Sequence, residues 1–193
     1  MLAQNHIALK EWAVVCRALA VGRQSLLLRK GGIHDPGGSF QLAHHEFWLY
    51  PTYEHERRDA LADEADDLWQ PTLAEQPPSG TVRIGLYAVV EEEFTVTDPA
   101  GLIGLDGLHV LSQNTVLDRF NYRAPGLFLL SVRIFSHERP FEIPEQPSFA
   151  GCRSWVDLGT PLSTAELTPV LDERRFQEQI RAVRRALSPT RFA

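Results

Sequence analysis

A chain of 193 residues with 19 Lys and Arg against 25 Asp and Glu can bury about 70% of its unfolded surface with no disulfide or metal staple. Its net charge of −6 excludes the indiscriminate phosphate binding of a basic protein, and no run of about 20 apolar residues is present to cross a membrane. The two cysteines, Cys16 and Cys152, lie far apart, and the opening MLAQNHIALKEW has neither a basic n-region nor a long apolar run. Free thiols, a cytoplasmic location and no membrane partner are therefore expected.

Residues 8–21, ALKEWAVVCRALAV, place Trp12, Val15, Cys16 and Leu19 at helical spacing before Gly22, which predicts an amphipathic N-terminal helix. QSLLLRK (24–30) reads as a short strand, followed by the glycine-rich loop GGIHDPGGSF. Residues 46–50 alternate as a strand, with Phe47 and Leu49 on one face and Glu46, Trp48 and Tyr50 on the other. Pro51 ends it. Thr52 suits the N-cap of a helix with Glu54 and Glu56 in its positive first turn, running to about Trp69. QPTLAEQPPSG (70–80) reads as an exposed proline-rich connection. Residues 81–98 form a long strand bent around 91–93, 111–120 a helix, 125–136 the most apolar and central strand, and 152–158 a further strand. A helix over about 172–187 closes the chain. Strands and helices interleave without regular βαβ spacing. The expectation is a single α+β domain over 1–193, a mostly antiparallel sheet or partly closed barrel flanked by helices.

Four histidines, His34, His44, His45 and His55, fall near the acids Asp35, Glu46, Glu54 and Glu56. Imidazole and carboxylate together bind transition metals. Yet HExxH, paired CxxC and His-x-His are all absent, and adjacent strand residues such as His44 and His45 face opposite ways. No cofactor is expected, with a divalent metal as the exception to test. Trp48, Tyr50 and Tyr53 come close together, either as a stacking surface for a base or as the packed second face of the strand. His55 with Glu54 or Glu56 is the candidate acid–base group. Arg133 sits inside LFLLSVRIF, where a buried guanidinium must pair with an acid, Glu54 for one, or hold an anion; Arg119, Tyr122 and Arg123 precede it. Cys152 and Ser154 lack the neighbouring base a nucleophile needs.

At LLLRKGGI, FWLYPTYEHE, YRAPGLFLLSVR and GCRSWVDL the chain resembles the bacterial family known as domain of unknown function 1802, over nearly its whole length. Fusion of such domains to restriction-type endonucleases implies a restriction or defence context and a nuclease partner. This chain lacks the Asp and spaced Glu-x-Lys of such a nuclease, so the resemblance implies a recognition or accessory part. AVGRQSLLLRK is also similar to the GxKxxExR motif of ASCH domains, PUA-like barrels that bind nucleic acid. Gly22 and Arg29 match, while Gln24 and Leu27 replace the lysine and glutamate. The resulting expectation is a non-catalytic nucleic-acid recognition module, with Trp48, Tyr50 and Tyr53 stacking a base, Arg29, Lys30 and Arg123 meeting phosphate, and Tyr122 and Arg133 as further ligand-binding candidates. A small-scope, metal-assisted hydrolase with a His/Glu pocket and a partner-binding structural domain stand beside it.

Overall fold

A computed structural model describes residues 1–30 and 40–188; most of the glycine-rich segment, with His34 and Asp35, lies outside the described residues. Seven strands form one sheet among them: β1 (Gln4–Trp12), β2 (Leu26–Arg29), β3 (Glu46–Thr52), β4 (Thr81–Val96), β5 (Leu127–Pro144), β6 (Trp155–Ser163) and β7 (Leu167–Pro169). Their order is β2-β5-β4-β3-β1-β6, with β7 also on β5. All pairings are antiparallel except β1 with β3. Five α-helices flank the sheet: α1 (Ala13–Ala20), α2 (Asp66–Ala74), α3 (Ala100–Ile103), α4 (Gln113–Asn121) and α5 (Glu173–Leu187). This is the α+β architecture expected, with its C-terminal helix. None of the helices is long and apolar enough to cross a membrane.

Strands as long as β4 and β5 overrun a compact core unless they bend. Their register slips between Ile84 and Leu86 and again between Val90 and Glu92, so the bend expected around 91–93 is a bulge. The sheet curls enough for the Arg29 side chain on β2 to reach Lys10 and Glu11 on β1. Two apolar clusters lie on opposite faces. Phe47 and Leu49 join the larger, with α1, β2 and the apolar half of β5. Trp48 and Tyr50 join the other, with Ile84, Tyr87, Phe149, Val156 and Leu158. Strand β3 is therefore buried on both faces.

Three local expectations need correction. The helix expected over 8–21 begins only at Ala13, because residues 4–12 pair between β3 and β6. The helical stripe of Val15, Cys16 and Leu19 is real, whereas Trp12 belongs to the end of β1. No helix starts at Thr52: β3 continues through it, and His55 takes φ = 62°, in the left-handed region a helix cannot include. Two short 3-10 turns, Arg58–Ala60 and Asp63–Ala65, then lead into α2. That helix takes up Gln70, Pro71, Thr72, Leu73 and Ala74, so only the second half of the expected 70–80 connection lies outside a helix.

Candidate functional site

The aromatic stretch divides between core and surface. The Trp48 ring is fully buried; its indole N–H donates to the Asn5 carbonyl at 3.0 Å and it meets Tyr87 and Phe141 edge-on. Tyr50 packs its edge on Phe149 and donates its hydroxyl to Glu145 at 3.3 Å. Burial, then the nearby Glu145 carboxylate, hold that phenol's pKa above its ordinary value. The three-ring stacking surface is thus overturned at Trp48 and Tyr50, because the far arm of β5, the turn at 147–149 and β6 roof that face. Only Tyr53 is left half-exposed.

The expected phosphate contacts are mostly committed to the fold. Lys30 donates to the carbonyls of Phe120, Ala124 and Gly126, closing the C-terminal end of α4. Arg29 donates to Glu11 at 2.7 Å, to the Lys10 carbonyl at 2.9 Å and to Ser154 at 3.2 Å, with its guanidinium over Phe40. Glu11 is only 3% exposed, so this is an internal ion pair and not an anion site. Arg133 is paired with Glu173 of α5 and lies over Phe176 and Phe135. The sequence demanded a partner for it, but Glu54 is not that partner. Tyr122 and Arg123 stack on one another past the end of α4, where Tyr122 is exposed.

What gathers instead is a cleft of about 430 Å³ at the ends of β1 and β3, lined by Lys10, Tyr50, Tyr53, Glu54, Arg83 and Glu145. The parallel register sets Lys10 beside Tyr50, and the chain leaving β3 after Thr52 places Tyr53 and Glu54 on one wall. The opposite rim is the proline-rich segment 76–80. Gly80, at φ = 81°, closes its turn, and the Glu145 amide donates to the Gly80 carbonyl at 2.8 Å. Lys10 donates to the Gly151 carbonyl at 3.1 Å and lies over the Tyr50 ring. Partial burial pulls the Lys10 pKa down, and the neighbouring Arg153 adds to this while Glu54 and Glu145 oppose it. A second hollow of about 230 Å³ shares Pro51, Tyr53 and Arg83 and continues past Arg17 and His137. Arg83 is bridged to Glu142 at 2.9 Å and Arg17 to Glu75 at 2.7 Å. Sequence reasoning left Lys10, Arg83 and Glu145 outside its ligand set. The signal for Lys10 was that it is one of only two lysines in an arginine-rich chain.

Glu54, His55 and Glu56 part company. Glu54 and His55 are exposed, while Glu56 turns inward and accepts the Val14 amide at the start of α1 at 3.0 Å. A His55–Glu56 acid–base pair is therefore corrected: the left-handed turn at His55 sends Glu56 into the interior. Its second oxygen is buried with no partner among the described residues. Burial raises the Glu56 pKa to about 7; the α1 amides oppose this and the nearby Glu11 adds to it. Between the ordinary 4.5 and about 7, the folded chain holds a proton that the unfolded chain has released. This group's stabilising contribution is complete below 4.5 and is lost as pH rises through about 7. Glu56→Gln should match the parent protein at pH 4, below the ordinary 4.5, and exceed it at pH 8 by about 1 kcal/mol, a figure discounted for partial hydration. Melting curves across that range check it; a parent protein no less stable at pH 8, relative to the variant, contradicts it.

No cluster of three His, Cys, Asp or Glu side chains suited to a metal occurs among the described residues. His44 instead meets Trp155 edge-on. Ser154 is buried against Arg29. Cys16 is a buried free thiol whose pKa burial raises well above its usual value, and Cys152 is exposed and free.

The family described as Domain of unknown function (DUF1802) matches residues 8–182. No curated protein matches the chain. Among solved structures, the ASCH protein of Zymomonas mobilis is similar at 13% identity and a TM-score of 0.43, covering 91% of this chain and 93% of that one. A point variant of the same protein is similar at 15% identity and a TM-score of 0.43, covering 94% and 98%.

Proposed function

The chain belongs to the DUF1802 family, and from that premise we propose that it is a nucleic-acid recognition module without catalytic machinery of its own. The observation that carries this reading is the cleft, where a partly desolvated lysine, a half-exposed tyrosine and open carboxylates converge on about 430 Å³. Pockets of roughly 300–1,000 Å³ with a few convergent polar groups are ordinary ligand sites. Tyr53 stacks one unpaired base and Lys10 meets its phosphate. The adjoining hollow, past Arg83, gives the strand a path out of the cleft. In its biological setting the module serves a nuclease partner in a restriction or defence system.

The test is fluorescence anisotropy with labelled single-stranded DNA and RNA at low salt. Tyr53→Ala and Lys10→Ala should each weaken binding, the former by about 1–3 kcal/mol as for other base–aromatic stacks. Melting temperatures should stay close to that of the parent protein. Salt dependence should be shallow, with a logarithmic slope of about −1 for one or two phosphates on a single strand. A fully folded protein that binds no strand overturns the reading.

A further inference from the structure

Resting on that reading, we infer that the cleft selects guanine, and that Glu54 is the residue that reads it. The cleft's hydrogen-bonding inventory is unequal. Its charged acceptors are the carboxylates of Glu54 and Glu145, each an acceptor at both oxygens, beside hydroxyl and amide groups such as Ser79 and Gln76 that can both donate and accept. Glu145 already takes the Tyr50 hydroxyl, which leaves the Tyr50 oxygen end committed to it. Glu54 is exposed at the wall formed by the 53–54 turn, and neither of its oxygens is engaged by a hydrogen bond or an ion pair among the described residues. Of its two cations, Arg83 is engaged by Glu142 and the Glu75 carbonyl, and Lys10 has spent one of its three N–H bonds on the Gly151 carbonyl.

A base held in the cleft by Tyr53 must turn its Watson–Crick edge to one of these groups. Guanine alone offers two adjacent donors there, N1–H and N2–H, parallel and spaced for the two oxygens of one carboxylate. Adenine and cytosine put an amino group beside an unprotonated ring nitrogen, whose lone pair would oppose the second carboxylate oxygen. Uracil and thymine offer a single N–H flanked by two carbonyls, both of which would face negative charge. An unengaged carboxylate therefore favours guanine and penalises the other bases. Lys10, on the far side, suits the acceptor atoms that remain, the phosphate oxygens or guanine O6.

The experiment uses the full chain and an oligothymidylate carrying one central guanine, inosine, adenine or cytosine, or no replacement. Inosine keeps N1–H and O6 and lacks only the N2 amino group. The guanine strand should bind about tenfold more tightly than the inosine strand, the size of the one hydrogen bond to a charged acceptor that inosine lacks. Glu54→Gln, an exposed substitution whose melting temperature is checked in parallel, should reduce that ratio to about one. Equal affinity for all five strands, or a guanine preference that survives Glu54→Gln, overturns the inference and leaves the recognition reading standing. Failure of every strand to bind overturns both.

Discussion

Trp48→Ala should destabilise the fold by about 3–5 kcal/mol, the cost of emptying a buried aromatic site that cannot collapse. The ring has no exposed surface, and two aromatic rings meet it in T-shaped contacts, Tyr87 at 4.9 Å and Phe141 at 5.6 Å between centroids. Its N–H leaves the Asn5 carbonyl without that partner when it goes. Asn5 is itself buried and donates to the Glu46 carbonyl and the Tyr87 hydroxyl, so the loss reaches the β1–β3–β4 junction. Denaturant unfolding measures this as a fall in midpoint at constant slope. Any loss of oligonucleotide binding should follow the unfolded fraction and disappear under conditions where the variant is folded. A change under about 1 kcal/mol would place the ring on the surface, where substitutions cost little.

Arg29→Ala should cost a comparable amount, about 3–5 kcal/mol, for an electrostatic reason: removing one partner of a buried pair strands the other. Glu11 is 3% exposed and Arg29 12%, and their 2.7 Å contact is joined by hydrogen bonds to the Lys10 carbonyl and Ser154. Glu11→Gln in the Arg29→Ala background should recover part of the loss, since no charge then remains buried. A double-mutant cycle reads that coupling directly. Additive effects of the two changes would mean the pair is hydrated and Arg29 is available for an external anion.

The pattern of β3 was legible because alternation needs only local residues: Phe47 and Leu49 do face one cluster, Trp48 and Tyr50 the other. What alternation could not say was whether the second face is open. That depends on Phe141 and Phe149, about a hundred positions later, folding over it through the long β4–β5 pairing. Arg133 is a similar case. Its place on an apolar strand required a partner, but Glu173 comes from a helix that only the tertiary fold brings near. Lys30 misled because a lysine after a strand reads as a surface cation, while its ammonium here satisfies three carbonyls at the end of α4. The cleft was half legible. Tyr53 and Glu54 were singled out from sequence, but Lys10 was hidden inside an expected helix, Arg83 lies near the start of β4, and Glu145 lies one residue past the end of β5. The left-handed His55, which separates Glu54 from Glu56, carries no sequence mark such as glycine.

The most direct measurement is an amide chemical-shift map of the isotopically labelled protein, titrated at low salt with an unlabelled guanine-containing single strand. Placement of the strand in the cleft predicts the largest shifts at Lys10, 52–54, 80–83 and 150–151, saturating together with one affinity. Shifts centred instead on the arginines of α5 or on Tyr122 and Arg123, or no shifts at all, would contradict it.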